Sequence, residues 1–251
     1  MKLKDRVAVV TGGGTGIGRG ISEGFAHEGA AVVVNYSKSK KSAEDVVGSI
    51  DRAGGQAVAI QADVSQDAEA RRLIEEAVSR FGRLDVLVNN AGWTRHVPHH
   101  QLEELSEEIL ERTWAINVKA AIYCIRAAVP HLRAGGGGSV INTTSIAAFN
   151  ALGSSIIYCA SKAALASITK SLARALAPEI RVNAIAPGFV DTGFVNWSPE
   201  VRERLKEMTR LGQPITPADI ADAALYLTIE ARATTGQTIM VDGGVGALGP
   251  G

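Results

Sequence analysis

A chain of 251 residues, 46% of them hydrophobic, is long enough to bury a substantial core in one α/β domain. Its 26 acidic and 26 basic residues cancel to a formal net charge of zero. That balance argues against a dedicated nucleic-acid or membrane-surface binder, which carries a basic excess.

The opening MKLKDRVAVVTGGG holds one short apolar run before its glycines, too brief for a signal peptide or a membrane span, so a cytoplasmic protein is expected. Arg6 to Val10 reads as a buried strand, followed at once by the loop Thr11 to Gly18 and a helix to about Glu28. A glycine loop between a strand and a helix N-terminus cradles phosphate with backbone N–H groups and the helix dipole. The spacing is Gly12-x-x-x-Gly16-x-Gly18 and not G-x-G-x-x-G, because Ile17 stands at the last required position. The candidate phosphate contacts are therefore Gly12, Thr15, Gly16, Ile17 and Gly18.

Ala31 to Asn35 is the second strand. A carboxylate near this end of a dinucleotide fold binds the ribose 2′-hydroxyl of NAD. Here the end reads Asn35-Tyr36-Ser37-Lys38-Ser39-Lys40-Lys41, with no carboxylate and with lysines and serines instead. A 2′-phosphate suits that composition, so NADP(H) is expected over NAD(H), with Asn35, Tyr36, Ser37 and Lys38 as its contacts.

Further on, Ser42 to Ala53 is an amphipathic helix and Gln56 to Gln61 a strand ending at Asp63-Val64. Ala68 to Phe81 is a charged-faced helix, and Leu84 to Val88 a strand ending in Asn89-Asn90-Ala91-Gly92. Unbroken strand–helix alternation predicts a doubly wound parallel sheet, whose ligands bind at the carboxyl ends of the strands. His96, His99 and His100 follow in a loop without a matching carboxylate or cysteine cluster, so no metal site is expected. Leu102 to Arg133 reads as a long helical region bent by Pro130. Four glycines, Gly135 to Gly138, lead into the fifth strand. Cys124 and Cys159 fall in apolar helical runs and read as buried free thiols.

After Val140-Ile141 comes SIAAFNALGSSIIYCASK, Ser145 to Lys162. Tyr158 and Lys162 are four residues apart, on one face of a helix that runs to Ala177. A free tyrosine titrates at about 10, and a neighbouring ammonium favours its phenolate. With Ser145 at a strand end to hydrogen-bond a carbonyl, the trio reads as an acid–base device for a ketone/alcohol couple. Arg181 to Ala186 is a sixth strand, ending in Pro187-Gly188-Phe189-Val190-Asp191-Thr192. The segment at about 190–212, with a helix over Pro199 to Leu211, is a candidate substrate lid. Trp93, Phe189, Phe194 and Trp197 are candidates to line an apolar pocket, with His96 or Arg95 for a polar substrate end. Thr216 is the expected cap of a helix over Pro217 to Thr228, and Thr238 to Val241 is the last strand. The glycine-rich tail from Gly243 is expected to be mobile or used between subunits.

From about Lys4 to Gly244 this sequence resembles the short-chain dehydrogenase/reductase family, in its single-domain form. The resemblance rests on TGGGTGIG, Asp63-Val64, NNAG at 89–92, Asn117, Ser145, Tyr158-x-x-x-Lys162, and Pro187-Gly188 with Thr192. Members similar in look are the 3-oxoacyl-[acyl-carrier-protein] reductases and their sugar or alcohol dehydrogenase relatives. The resemblance implies a single-domain Rossmann fold with a seven-stranded sheet, a nicotinamide cofactor and a homotetramer built partly from the Tyr-Lys helix. It implies that Tyr158 transfers the proton, that Lys162 lowers its pKa and holds the nicotinamide ribose, and that Ser145 orients the carbonyl. Asn117 would support a proton path behind the lysine. Asp63 and Val64 would meet the adenine, Asn90, Ala91 and Gly92 the adenosine side, and Pro187, Gly188, Val190 and Thr192 the nicotinamide and phosphates. Members serving an acidic carrier protein often have a basic patch before the fifth strand, where this chain has Ala134 and glycines. The expected activity is NADP-dependent carbonyl reduction of a small molecule. A sugar or secondary-alcohol dehydrogenase working oxidatively is one alternative, and a non-catalytic dinucleotide sensor another; the filled catalytic positions favour the enzyme.

Overall fold

The computed structural model describes residues 1–249; Pro250 and Gly251, the end of the glycine-rich tail, lie outside the described residues. In chain order the elements are β1 (Val7–Val10), α1 (Gly16–His27), β2 (Ala31–Tyr36), α2 (Lys40–Arg52), β3 (Gln56–Gln61), α3 (Asp67–Phe81) and β4 (Val86–Asn89). Then follow α4 (Glu107–Trp114), α5 (Ala120–Ala134), β5 (Gly138–Thr143), α6 (Ala147–Asn150), α7 (Ile156–Leu176) and β6 (Ile180–Pro187). The chain closes with α8 (Pro199–Glu207), α9 (Pro217–Leu225), β7 (Thr238–Val241) and α10 (Val245–Leu248).

The seven strands form one sheet in the order β3-β2-β1-β4-β5-β6-β7, with every pairing parallel. Parallel strands are covered on both faces, which is why they read as continuous apolar runs. Alternate residues serve opposite cores. Ala8, Val10, Val32 and Val34 pack with Ile21 and Phe25 of α1, Val46 and Ile50 of α2, and Ile220 of α9. Val9 and Val33 pack on the other face with Leu73 and Ile74 of α3 and with Cys124, Ile125 and Leu132 of α5. Ile21 and Phe25 are fully buried, each worth about 2 kcal/mol relative to exposure.

Strand order reverses between β1 and β4, and the loops leaving their carboxyl ends open a crevice there. The long helical region is not continuous. A 3₁₀ turn at Leu102–Glu104 precedes α4, and a π-turn over Ala115–Lys119 separates α4 from α5. Pro130 lies within α5, which continues past it to Ala134. Thr216 caps α9 in a capping box with Asp219, and Ser155 caps α7 by accepting the Tyr158 N–H. Cys124 and Cys159 are buried and free. Among the described residues no helix is long and apolar enough to cross a membrane.

Candidate active site

The glycine loop is stitched to the loop after β4. Thr11 Oγ1 accepts the N–H groups of Asn90 and Ala91, each at 3.0 Å, while Asn90 Nδ2 donates to Thr11 O at 3.1 Å and Gly12 O at 3.3 Å. Gly18 lies where a Cβ would sit 2.6 Å from Asn90 Nδ2, 2.9 Å from the Gly12 carbonyl carbon and closer still to its oxygen. That packing brings the start of α1 against the loop. Helix α1 has no side-chain cap and no acidic residue in its first turn, so its free N–H groups and dipole remain available to an anion. Gly12, Thr15, Gly16 and Ile17 face the crevice; Gly18 packs behind them.

At the end of β2 the structure separates the four expected contacts. Ser37, Lys38 and Ser39 line the crevice. Asn35 also borders it, but its amide is committed to the backbone: Nδ2 donates to Ala62 O at 3.1 Å and Ile60 O at 3.3 Å, and Oδ1 accepts the Gly12 N–H at 3.3 Å. Tyr36 does not reach the crevice. It has the same parity as Val32 and Val34 and is buried with them in the core. Asp63 and Val64 line the crevice, with the Asp63 carboxylate held by the Ser65 N–H and hydroxyl.

Ser145, just beyond β5, and Tyr158 and Lys162, on one face of α7, converge on the same crevice. Lys162 Nζ donates to Thr143 O at 2.8 Å and stands 5.8 Å from the centroid of the Tyr158 ring. Burial pushes the Tyr158 phenol up to about 12, and a hydrogen bond with Ser145 pulls the other way. Burial also draws the Lys162 amine down to about 8. Within the chain alone burial is the largest influence on the phenol.

Asn117 sits in the π-turn and is buried rather than on the crevice wall. Its Oδ1 accepts the Trp93 N–H at 2.8 Å, and its Nδ2 donates to Trp93 O and to Ser161 Oγ, each at 3.0 Å. It thereby ties the loop after β4 to α7 directly behind Lys162.

Asn90, Ala91 and Gly92 line one wall, and Pro187, Gly188, Val190 and Thr192 the opposite one. Thr192 packs beside Gly16, so the loop after β6 meets the glycine loop across the opening. Trp93, Phe189, Phe194 and Trp197 line the substrate end, with the Phe194 ring 6.2 Å from that of Tyr158. His96 does not line it; the exposed imidazole packs edge-on against Trp197 at 4.7 Å. Sequence reasoning missed several lining residues. Val201 and Leu205 project from α8, and Met208 from its C-cap, at helical spacing, a signal present in the sequence. Arg112, stacked 4.5 Å over the Trp93 ring, and Val245, Gly246 and Gly249 of the tail carried no such signal. The whole crevice has a volume of about 1240 Å³.

Uncapped helix, glycine cradle and Ser-Tyr-Lys trio, on a parallel sheet of this order, define a nicotinamide-dependent oxidoreductase site. A family model described as enoyl-(acyl carrier protein) reductase matches residues 12–246. The chain is 44% identical over 250 residues to an uncharacterized oxidoreductase of Methylorubrum extorquens, covering 97% of this chain and 99% of that one. It is 38% identical over 244 residues to a 3-oxoacyl-[acyl-carrier-protein] reductase of Staphylococcus epidermidis, covering 96% and 99%. The crystal structure of a short-chain dehydrogenase from Burkholderia cenocepacia in complex with NADP superposes with a TM-score of 0.91 at 35% identity, covering 98% of this chain and 100% of that one. The chain belongs to the short-chain dehydrogenase/reductase family and is an oxidoreductase of that class.

Proposed function

We propose that this enzyme transfers a hydride between NADP(H) and a ketone/secondary-alcohol pair, and works as a carbonyl reductase. The observation that carries the reading is that the Ser145, Tyr158 and Lys162 side chains and the uncapped glycine loop share one crevice. The loop and the α1 N-terminus hold the pyrophosphate, and Ser37, Lys38 and Ser39 take the 2′-phosphate, where NAD recognition would need a carboxylate. The structural relative holding NADP supports the same preference. A nicotinamide held there would supply the hydride. Ser145 donates to the carbonyl oxygen and fixes its orientation. Tyr158, a phenol that burial raises further above neutrality, gives its proton to that oxygen as negative charge develops, which suits reduction. Lys162 holds the nicotinamide ribose, and Asn117 holds Trp93 and α7 in register behind it.

The walls of the substrate end are aromatic and aliphatic, which favours an apolar or ring-bearing ketone of 3-oxoacyl type. The turn before β5 offers no basic patch for an acidic carrier: Arg133 faces Glu179 at 3.9 Å, and glycines follow. Segment 190–212 acts as the lid of a single domain, with Asp191 paired to Lys206 at 3.2 Å and Arg202 at 3.7 Å. Exposed Trp114, Ile122 and Ile156 on α4, α5 and α7, and Met240 on edge strand β7, suit faces covered by other copies in a homotetramer.

The test is oxidation of NADPH and of NADH, followed at their absorbance band, against an acetoacetyl thioester, a keto ester, a cyclic diketone and an aromatic ketone. NADPH-dependent turnover of the apolar ketones is expected. Failure to bind NADPH together with failure to reduce any ketone would sink the proposal.

A further inference from the structure

The tail forms part of the crevice wall, and one side chain fastens it there. Beyond β7, the buried Asp242 carboxylate accepts the N–H groups of Gly244 at 2.9 Å and Gly246 at 2.6 Å, which turns the chain into α10. Val245, Gly246 and Gly249 then face the substrate end, beside Met208 and Thr209 at the close of the lid. Arg210 bridges the two segments. Its N–H donates to Gly243 O at 2.8 Å, its Nε to Gly249 O at 3.0 Å and its Nη2 to Leu248 O at 3.3 Å. Contact is close along the seam: a Cβ on Gly243, at φ +61°, would lie 2.8 Å from Thr209 Cβ. Among the described residues Arg210 pairs with no carboxylate, so its cation is committed to the two tail carbonyls.

We propose that Arg210 is a positioning residue. It clasps the segment Asp242–Gly249 to the end of the lid, and the clasped segment limits the length of ketone that the substrate end accepts. The specificity half of this proposal rests on reading the crevice as a ketone site. Arg210 touches no residue of the Ser-Tyr-Lys trio and no part of the glycine loop, so its loss acts on substrate fit and leaves hydride transfer and cofactor binding alone.

The experiment compares the wild-type enzyme with Arg210→Ala and Arg210→Lys, and with a variant ending at Gly244. It reads kcat and KM for apolar ketones of increasing length, the NADPH Kd, and hydrogen exchange of the 243–248 amides. In Arg210→Ala, KM for the ketone best used by the wild type rises about tenfold, the net worth of one or two hydrogen bonds to a charged donor. Longer ketones become usable, kcat and NADPH Kd stay within about twofold, and exchange at 243–248 accelerates. Arg210→Lys, with one point of contact instead of a fork, falls between. The shortened variant reproduces the broadened length profile. Unchanged exchange in Arg210→Ala overturns the clasp whatever the activity. An unchanged length profile with faster exchange overturns the specificity role. A wild type that reduces no ketone overturns the reading of the crevice, and the specificity role with it, while the exchange result still decides the clasp.

Discussion

Gly18→Ala places a methyl 2.6 Å from Asn90 Nδ2, 2.9 Å from the Gly12 carbonyl carbon and nearer still to the Gly12 oxygen. Two of these neighbours are backbone, so no rotamer change relieves the clash. Carbon and its neighbours settle about 3.5 Å apart, so the start of α1 and the loop must separate by about 1 Å. Overpacking of this kind costs typically 1–3 kcal/mol, and the backbone partners put it at the upper end, about 3 kcal/mol. The movement breaks the Asn90 bridge to Gly12 O and turns the loop N–H groups from their common focus. The NADPH Kd therefore rises at least about tenfold, and the melting temperature falls by about 5 °C or more. Fluorescence titration reads the first and calorimetry the second. Gly48→Ala in α2, whose Cβ would meet only the end of the flexible Arg52 side chain at 3.3 Å, is the control that leaves Kd and melting temperature alone. A Gly18→Ala protein with Kd within twofold and an unchanged melting temperature would refute the packing argument.

Other outcomes follow from the same geometry. Ser37→Asp puts a carboxylate at the proposed 2′-phosphate contact, and the NADPH to NADH ratio of kcat/KM should fall about a hundredfold; an unchanged ratio means that the phosphate is recognised elsewhere. Lys162 is buried with its amine drawn down to about 8, so the charged form is disfavoured in the fold and its cost is present below that pH. The cost is relieved as pH rises from about 8 toward the unfolded value of about 10.4. Lys162→Met should therefore be inactive yet more stable than wild type at pH 7, by roughly 2 kcal/mol after losing its bond to Thr143 O, with the difference shrinking by pH 10. Urea unfolding at both pH values checks this, and a variant less stable at pH 7 contradicts it.

The architecture was legible because each strand is an apolar run and each helix announces its ends. Seven parallel strands, the loop at Gly12–Gly18 and the Thr216 cap lie where periodicity and capping chemistry put them. Helix α4 to α5 looked continuous because a π-turn leaves hydrophobic spacing almost unaltered; only the structure shows that it turns Asn117 inward. Tyr36 was readable in hindsight. Period two groups it with Val32 and Val34, so its side chain, although last in β2, turns into the core and not toward the crevice. His96 lay in a loop whose direction no pattern fixes. Sequence spacing puts the Lys162 ammonium near the phenol but cannot give the depth of burial, which raises the phenol here. Glycines in the tail suggest either freedom or a role between subunits; the bond from Arg210 to Gly249 O, 39 residues away, is visible only in three dimensions.

Proton transfer from Tyr158 to the carbonyl oxygen is the step on which the proposed reduction depends. The direct measurement is kcat for ketone reduction by Tyr158→Phe beside its NADPH Kd. Loss of the phenolic hydroxyl should lower kcat about 10³-fold while Kd stays within about twofold, since the ring and the cofactor contacts remain. Near-normal turnover in that variant would contradict the account.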